Sequence, residues 1–224
     1  ITNSQNKQLI HLTQVMTQNM RSHAGNLELT LELLRGSSSP EEEKELLQNV
    51  EAISKSLNES VKQLNGIITS QTKGAGNIQT VQFGEVLKKV TSKLENLIQE
   101  SGAEIFSDFS EVPTISYIPE YMEIILSQLI SNAIRFKHPD RSPAIDIFSF
   151  YEEDEVCLMI RDNGLGIDLE RYGNELFKLN TTFHNGACGN GQGLFIVKNQ
   201  VETLQGALSI ESLVNEGTTF RIRF

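Results

Sequence analysis

Four short stretches of this sequence carry residue types that can do chemistry. They are Ser131-Asn132-Ala133-Ile134-Arg135-Phe136, Asp162-Asn163-Gly164-Leu165-Gly166, Gly189-Asn190-Gly191-Gln192-Gly193 and Gly217-Thr218-Thr219-Phe220. Each also has an ordinary structural reading. Asn132 can be a polar residue on an amphipathic helix, and Asp162-Asn163-Gly164 after an apolar strand is good hairpin-turn chemistry. The glycine run before Leu194 can be a flexible loop with a helix start, and Gly217 to Phe220 a turn into the last strand. The charge balance narrows what such a set could bind: 19 Lys+Arg against 29 Asp+Glu give a formal net charge of −10. That excess opposes non-specific attachment to nucleic acid or anionic lipid. A bound nucleotide would have to be held by local devices, such as backbone amides and a metal ion.

In their order and distances the four stretches resemble the N, G1, G2 and terminal G boxes of the GHKL ATPase superfamily, in its histidine-kinase branch. The likeness covers about Ile78 to Phe224, and residues 1–73 resemble the dimerisation and phosphotransfer hairpin that precedes this domain in the kinases. The resemblance implies ATP and Mg²⁺ as cofactors and assigns roles that agree with the physics. Asp162, at a strand end, would accept a hydrogen bond from the exocyclic amine of adenine, where guanine presents a carbonyl. Gly164 and Gly166 would leave room for the base, and Gly189, Gly191 and Gly193 would let backbone amides reach phosphates at a helix N-terminus. Asn132 would offer its amide oxygen to the metal. Arg135, three positions on and so on the same helix face, would meet phosphate. Thr219 of the last box joins the nucleotide contacts, and Phe177 in Glu175-Leu176-Phe177-Lys178 resembles the F box of the lid, although Asn180 and Thr181 are less aromatic and less basic than usual there.

The first helix departs from the family at its central residue. Thr17-Gln18-Asn19-Met20-Arg21-Ser22-His23 resembles the kinase H box, in which a histidine is followed by an acid or amide, an apolar residue, Arg and a small polar residue. In that register Gln18 occupies the phosphoacceptor position, and its amide nitrogen is not a basic nucleophile. Asn19 stands where many relatives have an acid that helps the imidazole accept phosphate; an amide can orient the ring but is a poor base, which implies slower intrinsic chemistry. Ser22 stands where relatives position water for dephosphorylating a regulator. His23 falls within about 20° of the apolar stripe at about 100° per residue, so it is expected to pack rather than react, whereas Gln18 lies on the opposite face. His11 shares the outer face but lacks the box. Two functions follow. The first is a two-component kinase core whose parent form, with histidine in place of Gln18, autophosphorylates and passes phosphate to a response-regulator aspartate. The second is an ATP-responsive scaffold or response-regulator phosphatase module without self-phosphorylation.

The elements that must position these residues are legible from periodicity. Leu9, Leu12, Met16, Met20, Leu27, Leu31 and Leu34 form one apolar helical stripe. Gly36 to Pro40 ends it, and Pro40 with Glu41, Glu42 and Glu43 suits a new first turn. A second helix carries Leu46, Val50, Ile53, Leu57, Val61, Leu64 and Ile68. Two long helices with narrow stripes are expected to form an antiparallel hairpin that pairs with a second copy into a dimeric four-helix bundle; the alternative is a hairpin packed on its own C-terminal domain. Beyond Gly74 to Asn77 the pattern changes to short β-rich runs alternating with helices. Strands are predicted at Thr80 to Gln82, Glu104 to Phe109, Ile145 to Tyr151, Glu155 to Arg161, Ala207 to Ser212 and Thr218 to Phe224. Helices are predicted near Phe83 to Glu100, Pro119 to Phe136 and Gly193 to Leu204, with a mobile loop from about Glu170 to Asn190. The pattern gives an α+β class, with a hairpin domain at 1–73 and an α/β domain at 78–224, which the resemblance implies is a two-layer α/β sandwich of the GHKL type.

Other functions lose their footing. The GNGQG run does not follow a strand and has the wrong glycine spacing for a dinucleotide fold. No GxxxxGK[ST], HExxH or GxSxG occurs. Cys157 and Cys188 show neither disulfide nor zinc spacing. A hydrophobic fraction of 38% without any apolar run near ~20 residues reads as soluble. The resemblance implies a homodimer that meets a receiver domain in the bacterial cytoplasm, with no nucleic-acid partner and membrane attachment only through an upstream region.

Overall fold

The computed structural model describes residues 20–22, 24–36, 39–72, 78–173, 176–177 and 193–224. The chain divides into two compact units, Ile1–Lys73 and Gly74–Phe224. In the first, residues 20–22 and 24–36 (α1) are helical, followed by α2 (Pro40–Thr72). Pro40 supplies a fixed φ at the helix start, Glu41, Glu42 and Glu43 face the positive end of the dipole, and Glu43 N–H donates to Ser39 O at 3.0 Å. Leu27, Thr30 and Leu34 of α1, and Leu46, Val50, Ile53 and Leu57 of α2, are half-buried at helical spacing. None of this unit's residues with a described environment is fully buried, and Leu29, Leu31, Leu33 and Leu47 are exposed.

The second unit contains β1 (Gln79–Gln82), α3 (Phe83–Lys93), α4 (Glu95–Ser101), β2 (Glu104–Asp108), β3 (Thr114–Tyr117) and α5 (Pro119–Arg135). It continues through β4 (Ala144–Glu152), β5 (Glu155–Asp162), α6 (Leu169–Tyr172), α7 (Gly193–Thr203), β6 (Ala207–Leu213) and β7 (Gly217–Arg223). The main sheet has the order β2-β4-β5-β7-β6, with β2 parallel to β4 and the other pairs antiparallel; β1 and β3 form a separate antiparallel ribbon. Strand alternation decides which face is covered. Ile145, Ile147, Leu158, Ile160, Phe220 and Ile222 are buried in one core with Phe83 and Val90 of α3, Met122, Ile125, Leu126 and Leu129 of α5, and Val197 and Val201 of α7. The alternate residues Asp146, Phe148, Met159, Arg161, Thr219 and Arg221 lie on the other face and stay at least partly exposed. One layer of helices on one face of a sheet is the expected sandwich.

The differences from expectation are local. The predicted helix from Phe83 to Glu100 is two helices, because Leu94 leaves helical geometry at φ −97°, ψ 9°. The short strand β3 is added between Pro113 and Ile118, and α6 forms inside the segment expected to be loop. Asp168 caps α6 by accepting from Arg171 N–H at 3.1 Å. Gly102 closes α4 in the left-handed region at φ 67°.

Candidate nucleotide site

β5 delivers Asp162 to the end of the sheet, and the chain turns there. The Asp162 Oδ1 accepts from Gly164 N–H at 2.8 Å and from Thr218 N–H at 3.3 Å. Burial nevertheless raises the carboxyl above its ordinary pKa; the two backbone donors only partly oppose that.

The turn is built by close backbone approach. Gly166 has φ 65°, and a β-carbon there would lie 1.9 Å from Leu213 O. Gly217, at φ 133°, would place its β-carbon 2.0 Å from Asp162 O. These glycines let the Asp162–Gly166 turn and the β6–β7 turn share one wall. Hydrogen bonds fix the contact: Asn215 N–H donates to Leu165 O at 2.7 Å, and Ile167 N–H to Ser212 Oγ at 2.8 Å. On the other side, Leu165 N–H donates to Phe136 O at 2.9 Å. Asn163 bridges to the start of β4, accepting from Ala144 N–H at 2.9 Å and donating to Ser142 O at 3.0 Å.

Asn132 is half-buried in the last turns of α5, facing the start of α7. A β-carbon on Gly193 would stand 2.6 Å from Gln128 Oε1 and 3.7 Å from Asn132 Nδ2. The missing side chain thus keeps the α7 N-terminus against the Asn132 amide. A helix N-terminus beside a neutral amide fits an anionic ligand with its cation. Among the described residues no cluster of three or more His, Cys, Asp or Glu could hold a metal ion. Arg135 is exposed one turn beyond Asn132. Leu176 is buried, and the half-buried Phe177 ring receives Lys198 Nζ of α7 at 5.0 Å from its centroid.

Asp162, Gly164 and Gly166 lie in one turn, and Asn132 faces Gly193. Gly189 and Gly191, with Gln18, Asn19, His11 and His23, lie outside the described residues; Arg21 and Ser22 are exposed on helix. The register corrects one assignment: Thr219 pairs with Arg161 and Glu211 and so faces away from the helices, whereas Thr218, paired with Asp162, is the buried residue at the site. Its hydroxyl lies 3.0 Å from Ser212 Oγ. The inward alternation of Phe220 and Ile222 carries that signal in the sequence. Nothing in the sequence singles out Ser212, Asn163 or Arg141.

The comparisons with known proteins bear on the family and the fold. Residues 118–224 match the family model described as histidine kinase-, DNA gyrase B-, and HSP90-like ATPase. Sensor protein SrrB of Staphylococcus aureus is 30% identical over 190 residues, covering 83% of this chain and 32% of the relative. Phytochrome-like protein Cph1 of Synechocystis is 34% identical over 138 residues, 61% of this chain and 18% of the relative. The chain thus spans at most about a third of these relatives. Among solved structures, the Acinetobacter baumannii histidine kinase AdeS aligns with TM-score 0.65 and 22% identity over 92% of this chain and 96% of that one. Full-length ShkA, solved with AMPPNP, gives TM-score 0.62 and 19% identity over 95% of this chain and 45% of that one. Residues 118–224 are therefore an ATPase domain of the histidine kinase-, DNA gyrase B-, and HSP90-like family, and the sensor-kinase relatives support a histidine-kinase catalytic core.

Proposed function

We propose that the chain binds Mg-ATP between α5, the Asp162–Gly166 turn and the start of α7. A form with histidine in place of Gln18 would autophosphorylate there and pass the phosphate to a response-regulator aspartate. The observation that carries the nucleotide reading is the half-buried Asp162 carboxylate, held by Gly164 and Thr218 amides at a turn whose glycines let neighbouring backbone approach closely. Mg²⁺ would offset the charge that develops on the transferring phosphoryl group. Within the protein, Asn132 and Arg135 would orient the phosphates, Asp162 the adenine, and the lid around Phe177 would exclude water.

With Gln18 at the acceptor position the chain as it stands is blocked in autophosphorylation, since an amide nitrogen has no basic lone pair to attack phosphorus. The same residue supports a second reading, an ATP-responsive scaffold or response-regulator phosphatase in which Ser22 positions water. Homodimerisation through the helical unit is part of both readings, supported by its half-buried stripe and exposed leucines. Incubation of this chain and a Gln18→His variant with γ-labelled Mg-ATP tests the reading. Acid-labile label on the variant alone supports the blocked kinase. Label on the unaltered chain moves the acceptor to His23 or His11, and label on neither favours the scaffold or phosphatase.

A further inference from the structure

We infer that Arg141, in the α5–β4 connection, is a positioning residue for the adenine-binding turn; the inference rests on the ATP-binding reading above. Its guanidinium Nη2 donates to Asn215 O at 2.6 Å and to Gly164 O at 3.2 Å. Those carbonyls belong to the two turns that form the wall beside Asp162, and Arg141 is 23 residues from one and 74 from the other in sequence.

The bond to Gly164 matters because of what else holds that peptide. The Gly164–Leu165 peptide group has its N–H on Phe136 O at 2.9 Å and its C=O on Arg141. Both partners lie in the segment that leaves α5. The preceding peptide supplies the Gly164 N–H that anchors Asp162 Oδ1. Glycine has little intrinsic preference for one peptide orientation. Without the guanidinium, the Gly164 carbonyl loses its charge-assisted partner and the plane is held from one side only. The Asp162 carboxylate then samples more orientations, and a base-recognition site that wanders binds its ligand less well. The tie to Asn215 couples this to the β6–β7 turn, whose Asn215 sits at φ 66° and already donates to Leu165 O. Arg141 is exposed, so its removal leaves no core cavity.

The full chain, Arg141→Ala and Arg141→Lys are compared for Mg-ATP affinity, thermal midpoint and hydrogen exchange at the Leu165 amide. Arg141→Ala is expected to weaken Mg-ATP binding on the order of tenfold. Exchange at Leu165 should quicken, while the midpoint and the exchange of β4 and β5 core amides hold. Arg141→Lys, which keeps a charged donor but on a shorter reach and with a more strongly hydrated head, should fall between. Unchanged affinity in Arg141→Ala overturns the inference. So does a loss that tracks a lowered midpoint, or failure of both variants to fold, since each makes Arg141 structural only. An unaltered chain that binds no Mg-ATP overturns the nucleotide reading, and this inference with it.

Discussion

Asp162 is held at a cost that its backbone donors only partly offset. Its carboxyl is half-buried, its pKa is raised chiefly by that burial, and the two backbone donors oppose only part of the shift. A carboxyl whose folded pKa exceeds its unfolded value makes the folded state bind the proton more tightly. Its contribution to stability is greatest below the ordinary carboxylate pKa and is lost as pH rises through the raised value. Nucleotide-free protein should therefore lose this contribution across that window, while Asp162→Asn removes that part of the pH dependence; urea melts at several pH values measure both. The same substitution leaves an oxygen for Gly164 and Thr218 but turns the second atom into a donor, which would face the adenine amine. Asp162→Asn should thus keep or slightly raise thermal stability while weakening Mg-ATP by about 1–3 kcal/mol, read by calorimetric titration. Equal affinity in the variant would remove Asp162 from the site.

At the level of elements, two glycines that look alike in sequence have different jobs. At Gly166 a side chain would strike the Leu213 carbonyl in a left-handed conformation, and both obstacles are backbone. At Gly193 the nearest obstacle is the end of the Gln128 side chain, which can rotate away. Gly166→Ala is expected to destabilise the domain by roughly 2–3 kcal/mol, whereas Gly193→Ala should cost under ~1 kcal/mol yet disturb Asn132 and lower Mg-ATP affinity. Urea denaturation paired with nucleotide titration separates the two. The motif glycines were legible because a close approach leaves its mark on residue type. The break at Leu94 was not, because Leu94 continues the apolar spacing of Leu87 and Val90, and only geometry records that the helix stops. β3 is four residues of ordinary alternation between two prolines, too short for periodicity to separate from a loop. Arg141 was invisible because its partners are main-chain carbonyls, which every residue carries.

Across the whole molecule, the two units have reached different degrees of self-sufficiency. The Gly74–Phe224 unit closes a core of its own, with Ile125, Leu126, Ile147, Leu158 and Ile222 fully buried. The Ile1–Lys73 unit buries none of its described side chains completely, although Leu27, Leu34, Leu46, Val50, Ile53 and Leu57 form stripes at helical spacing. Half-buried stripes at helical spacing on two helices are what one half of a bundle presents before its partner arrives. Pairing with a second copy would complete that core. The full chain should therefore sediment at twice 25.0 kDa. Leu34→Glu together with Val50→Glu would put charges into the seam and shift it to monomer. Because Asp162, Asn132 and Gly193 all lie in the second unit, Mg-ATP affinity should survive that dissociation within about twofold, or ~0.4 kcal/mol. A chain already monomeric before substitution would favour a hairpin satisfied within its own protomer. A dimer whose disruption also abolished nucleotide binding would mean that the helical unit supports the pocket directly.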